Sequence, residues 1–285
     1  MKEKKKPDVA KLLGITDDLM FQNVMKDPIN CRMFLHEVLP DLDIQGLTVR
    51  TQERIAFNKE EKFSVLDVLI KDSKGRRYDI EMQVAPQKDL DKRARYYMYK
   101  MMEAGFLHQG DGYGELAAVY VIFVLPFDPK GKGLKRYSST YSAREDKSVE
   151  LNDESEIIYL NSKGKKGDVS QGLEDFYSLM EGKSTTNGKF IKRIKKTMDN
   201  YRKTEEWSEH VMNTEQIKEM ALAQGVEQGL EQGLEKGRKE ATASAISKTV
   251  KMLKRMNQSN EQILQELKQD YSDEFSDKEL EDFLK

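Results

Sequence analysis

Asp67, Glu81 and Gln83 are the residues whose types and spacing could do chemistry. They lie in SVLDVLIKDSKGRRYDIEMQV, residues 64–84, which reads as two apolar strands around a turn. Asp67 sits inside Val65-Leu66-Asp67-Val68-Leu69-Ile70, a costly place for a charge. The segment DSKG permits a three-residue loop, Ser73-Lys74-Gly75, with glycine at the left-handed position. Asp72 then opposes Arg76, and the same register sets Asp67 opposite Glu81. Asp79, Glu81 and Gln83 share one face of their strand, while Tyr78, Ile80, Met82 and Val84 take the other, the expected core face. A slip of one residue would undo this alignment. Like charges directly opposite each other destabilise a sheet. Protonation of one carboxyl, or a cation between them, relieves the repulsion. Two carboxylates, water and a phosphate oxygen make an ordinary Mg²⁺ site. Such a site can activate water and assist an in-line displacement at phosphorus. Exposure to solvent, or pairing with Arg76, Arg77 or Arg93, would account for the same acids.

The elements that must hold these residues can be read outward from the hairpin. Residues 16–39 read as helical, capped by Thr16 or Asp17, with a break near Asp27-Pro28 and an end before Pro40. Residues 47–57 and 62–84 read as strands. A helix is expected from about 89 to 109, where Leu90, Ala94, Tyr97, Met101, Ala104 and Leu107 recur at helical spacing. ELAAVYVIFVLPF is a short continuous apolar run, suited to a strand buried on both faces. Weaker strands follow near 135–143 and 155–161. The order α, β, β, β, α, β, β, β describes one α/β domain with a mixed sheet over residues 1–165. Residues 166–220 form a helical, locally basic extension, with helices at 171–182 and 188–220. Residues 221–240 are a linker of glycine tetrads, and 241–285 a helical tail. Gly225, Gly229, Gly233 and Gly237 punctuate the tetrads. They mark either a marginal helix or a close helix–helix contact and self-association.

Composition excludes several classes. The net charge is −2, so no global basic field favours a polyanion. A local patch remains in GKFIKRIKKTMDNYRK, where Lys192, Arg193, Lys195 and Lys196 form either a solvated face or a phosphate-contacting one. One cysteine, Cys31, precludes an intrachain disulfide and fits a reducing cytoplasm. The three histidines, His36, His108 and His210, are far apart, which argues against a zinc cluster or a histidine relay. Metal chemistry would therefore use oxygen ligands and Mg²⁺ or Mn²⁺. The start, MKEKKKPDVAKLLG, lacks the apolar stretch of a secretory signal, and no run reaches membrane-spanning length.

LDV, a turn, and then IEMQ together resemble the PD-(D/E)XK nuclease superfamily. More narrowly they are similar to the bacterial recombination-promoting nuclease/transposase family, where glutamine replaces the motif's terminal lysine. TDDLMFQNVM resembles the family's opening helix, with Asp18 and Phe21 matching and Gln22 standing where lysine is frequent. QKDLDKRARYYMYKM resembles the helix after the motif, with Arg93 and Tyr97 one turn apart. ELAAVYVIFVL resembles the following strand. The likeness covers residues 14–165. It implies a restriction-endonuclease-like mixed β-sheet flanked by helices, followed by a helical C-terminal region. It also implies a metal-dependent DNA endonuclease linked to recombination or mobile elements. Asp67 and Glu81 would hold Mg²⁺ (or Mn²⁺), Gln83 would orient the attacking water, and Asp18 would complete the site. Lys62, Arg93 and Tyr97 would contact double-stranded DNA, although Arg93 and Tyr97 also suit a structural hydrogen bond. Two other functions fit the sequence: a poorly cleaving DNA-binding protein on a nuclease fold, and self-association as a homodimer or higher oligomer through the C-terminal helices.

Overall fold

The computed structural model describes residues 13–55, 64–103, 107–186, 188–272 and 274–284. The chain divides into two compact units, Met1–Val211 and Met212–Lys285.

The first unit is built on a six-stranded mixed sheet ordered β1-β2-β3-β4-β6-β5. Its strands are β1 (Thr48–Ile55), β2 (Ser64–Lys71), β3 (Arg77–Met82), β4 (Val119–Leu125), β5 (Arg136–Ser139) and β6 (Ser155–Asn161). β1, β2 and β3 pair antiparallel in sequence. β3, β4 and β6 are parallel, and β5 closes the edge antiparallel to β6. Helices α1 (Asp18–Met25) and α2 (Pro28–Val38) precede the sheet. α3 (Leu90–Glu103) follows β3, and α4 (Gln171–Met180) and α5 (Lys189–Tyr201) follow β6.

Local chemistry explains the breaks. Asp17 caps α1 by accepting from the Met20 N–H at 3.1 Å, and Asp27 caps α2 through the Ile29 N–H at 2.8 Å. Pro28 opens α2, where its missing N–H costs nothing. Gly75 takes φ +82° and closes the β2–β3 turn, a conformation that a β-carbon would strain.

Each sheet face has its own core. On one, Val68, Ile70, Tyr78, Ile80, Ile122 and Ile158 pack with the buried faces of α1, α2, α4 and α5. On the other, Val121, Phe123 and Tyr159 pack beneath Leu90, Ala94, Tyr97 and Met101 of α3. The helical stretch after residue 170 therefore shares the sheet's core: Phe176, Ile191, Ile194 and Trp207 are buried in it.

A long helix, α6 (Glu205–Arg255), runs through the glycine tetrads without interruption. In the second unit Ile246, Val250 and Leu253 of α6 form a small core. They pack with Ile263 and Leu267 of α7 (Asn260–Tyr271), Phe275, and Leu280 of α8 (Asp277–Asp282). The expected helix at 188–220 is split between α5 and α6 by a turn at residues 202–204. Among the described residues no helix is long and apolar enough to cross a membrane.

Candidate active site

The β2–β3 register is the one the turn chemistry predicts. Val68 opposes Ile80, Leu69 opposes Asp79 and Lys71 opposes Arg77, so the next pair in line is Asp67 and Glu81. The regular ladder stops there. The Asp67 N–H donates to Glu81 Oε1 at 2.9 Å, and the Met82 N–H donates to Asp67 Oδ2 at 3.1 Å. Carboxylates have thus replaced carbonyls as ladder acceptors. The β1–β2 pairing skips the same point, between Thr51↔Val68 and Glu53↔Leu66. Gln52, the residue skipped on β1, adopts φ +53°, and its Nε2 lies 3.4 Å from Asp67 Oδ1. A non-glycine residue in this region costs about 1–2 kcal/mol. Leu66 joins the α3-side core while Val68 joins the opposite one, so inward–outward alternation does not pass through Asp67.

The acid face of β3 is not the wet face. Asp79 is 0% exposed and Glu81 only 1%. They neighbour Val121 and Phe123 on β4, and α3 covers them. Both faces of β3 are therefore core, which corrects an assignment of the core to the Tyr78 side alone. Burial makes the acids weak. It pushes Glu81 up to about 7, with Asp67 adding repulsion. It raises Asp67 too, against the Met82 N–H bond, and Asp18 raises it further. Asp79 is held well above the usual carboxylate range by burial and by Glu81. Neither Asp79 oxygen has a hydrogen-bond partner among the described residues.

The positive charge at this centre comes from α3. Arg93 Nη2 donates to Glu81 Oε2 at 2.8 Å and Nη1 to Gln83 Oε1 at 2.6 Å. Its Nε donates to the Tyr97 hydroxyl at 2.7 Å. The guanidinium carbon lies 5.0 Å from the Tyr97 ring centroid and 5.8 Å from that of Phe123. Helical spacing of four places Arg93 and Tyr97 on one side of α3. The pairing of Glu81 with Arg93, one of the readings open from sequence, is thus present. The Gln83 amide is engaged at both ends, since its Nε2 donates to the Ala85 carbonyl at 2.7 Å.

A cleft of about 890 Å³ opens over this centre, lined among others by Asp18, Gln52, Asp67, Gln87, Arg93 and Tyr97. Asp18 enters it from the first turn of α1. Its carboxyl is raised, first by partial burial and then by Asp17. Asp18, Asp67, Glu81, Gln83, Arg93 and Tyr97 are therefore brought to one place. The basic residues of α5 serve elsewhere in part. Arg193 bonds to Asn30 Oδ1 at 2.9 Å and pairs with Asp27, tying α5 to α2. Lys195 reaches the Thr185 hydroxyl at 2.7 Å, while Lys192 and Lys196 are exposed. Lys62 lies outside the described residues.

Two participants escaped the sequence reading. Asp79 was visible as a member of the acid face, but nothing signalled its burial. Gln52 carried no signal, because a skipped ladder position has no composition of its own.

A profile of PD-(D/E)XK nuclease family transposases matches residues 20–279. The chain belongs to that family. The match spans both units and supports a nuclease or mobile-element role. No curated protein and no solved structure matches the chain.

The donor set fits a cation. It offers carboxylate oxygens beneath an open cleft, with proton affinities raised chiefly by burial, and a guanidinium already paired with Glu81. Among the described residues no three acidic, imidazole or thiol groups stand arranged to hold a metal ion. Such an ion would take Asp67 and Glu81 and complete its shell with water or substrate oxygen.

Proposed function

We propose that this cleft hydrolyses phosphodiester bonds of double-stranded DNA, with Asp67 and Glu81 holding a divalent cation, Mg²⁺ or Mn²⁺. The observation that carries this reading is the opposition of two raised carboxylates across β2 and β3 beneath the cleft. When bound, the cation supplies a polarised water and neutralises charge at phosphorus. The chain supplies position. The backbone N–H groups of Asp67 and Met82 fix one oxygen on each carboxylate, while Arg93 meets the other oxygen of Glu81 and Gln52 that of Asp67. Gln83 orients the attacking water through its amide oxygen once Arg93 gives that oxygen up. Asp18 adds a third carboxylate from the rim. Arg93 and Tyr97 approach the substrate phosphate, and the exposed Lys192 and Lys196 of α5 extend contact along the backbone. The setting is DNA rearrangement by a mobile element in the cytoplasm.

Gln83 and Arg93, both engaged with protein partners, favour one second reading: a protein that binds DNA and cuts it poorly. Nicking of supercoiled plasmid in Mg²⁺ separates the two. Asp67→Asn and Glu81→Gln should each lower the rate by at least about a hundredfold, with EDTA as the blank. Cleavage by the variants at the wild-type rate refutes the metal assignment. DNA binding without cleavage by any form supports the second reading.

A further inference from the structure

We propose that Arg93 is a resident counter-cation that a divalent metal must displace, and that its release couples metal binding to DNA binding. The inference rests on the reading of Asp67 and Glu81 as metal ligands and says what holds that site before metal arrives.

The argument is one of occupancy. Glu81 has two oxygens: one accepts the Asp67 N–H, and Arg93 holds the other at 2.8 Å. The oxygen a metal needs is therefore the one Arg93 covers. The same guanidinium takes Gln83 Oε1, the amide oxygen assigned to the attacking water. One side chain thus blocks both the metal ligand and the water-orienting group. It does so from the cleft wall, where it also reaches Gln87 Oε1 at 3.3 Å.

A buried carboxylate needs a partner, and Arg93 supplies one to Glu81. Glu81 is 1% exposed, and breaking its pair would strand a charge in the core. Arrival of a divalent ion reverses the balance. An ion held by Asp67 and Glu81 would satisfy the Glu81 charge and repel the guanidinium. Arg93 then faces an open cleft, and a phosphate diester is a partner its planar fork matches. Metal and DNA should bind with positive coupling, each favouring the state in which Arg93 has left Glu81.

The test uses the full chain and Mn²⁺ alone, read by titration calorimetry and by the metal-induced rise in Tm. Four forms are compared at pH 8: wild type, Arg93→Met, Arg93→Lys and Asp67→Asn/Glu81→Gln. Arg93→Met should bind Mn²⁺ about tenfold more tightly than wild type, within the usual span of coupling between sites. Its Tm should fall without metal and rise further with it. Arg93→Lys keeps the charge without the fork and should fall between the two. A non-cleavable phosphorothioate duplex should tighten Mn²⁺ binding in wild type and not in Arg93→Met. Equal or weaker Mn²⁺ binding by both folded Arg93 variants overturns the inference. If Arg93→Met does not fold, Arg93→Lys decides alone. Mn²⁺ binding unchanged in the double carboxylate variant overturns the metal reading itself, which separates the two failures.

Discussion

Glu81 sets a pH dependence whose sign follows from its burial. Its carboxyl is raised from an ordinary 4.5 to about 7, so the folded chain holds that proton more tightly than the unfolded chain. The resulting stability is fully present below pH 4.5 and is lost as pH rises toward 7. Each pKa unit is worth about 1.4 kcal/mol, which makes the loss on the order of 3 kcal/mol. Asp79, raised for the same reason, acts in the same direction. Urea unfolding of metal-free protein at stepped pH should show this decline, and Glu81→Gln should flatten it. Gln52 offers a second check. Gln52→Gly removes the strain of φ +53° and should raise stability by about 1 kcal/mol while slowing plasmid nicking, since Asp67 loses a side-chain partner. The opposed pair Asp67–Glu81 was legible because a glycine-closed turn fixes register and register fixes neighbours. The seating of Arg93 on Glu81 was legible only as one of several pairings, since choosing among them needs the helix docked on the sheet.

At the scale of elements, the strands and helices of the first unit were readable because each carries its own punctuation. The Asp27-Pro28 break and the apolar run of β4 are local signals, and β6 fell at its expected residues. The glycine tetrads were harder. Their propensity points to a weak helix, yet α6 is continuous through them. At Gly225, Gly229, Gly233 and Gly237 an added β-carbon would meet nothing within 4 Å. Each substitution to alanine should therefore stabilise the helix by about 1 kcal/mol, read as added helicity by circular dichroism. Lost stability instead would mean that the glycines meet a partner. Gly164 is the opposite case. A β-carbon there would come within 2.5 Å of the Leu134 carbonyl oxygen and the Lys135 backbone. Gly164→Ala should cost about 1–3 kcal/mol, because backbone cannot yield as a side-chain end can.

For the whole molecule, two compact units, the second with a small core of its own, imply two unfolding events. Ile263→Ala should remove about 2–5 kcal/mol from the second unit alone, leaving the transition of the sheet-containing unit in place by calorimetry. Sequence places a glycine-tetrad linker at residues 221–240; along α6 the first unit's core ends at Val211 and the second unit's begins at Ala243. The carboxylates of the first unit have a further consequence for how such a chain ages in a population. Asp79→Asn would remove a buried acid that has no hydrogen-bond partner among the described residues, so purifying selection for a folded, non-aggregating product gives Asp79 no protection. On the proposed function, selection on cleavage is what would retain it. A lineage released from that demand should keep its sheet and helices intact while Asp79 drifts first, before Asp67 and Glu81, whose oxygens accept backbone N–H groups, leaving well-folded descendants with a silent cleft.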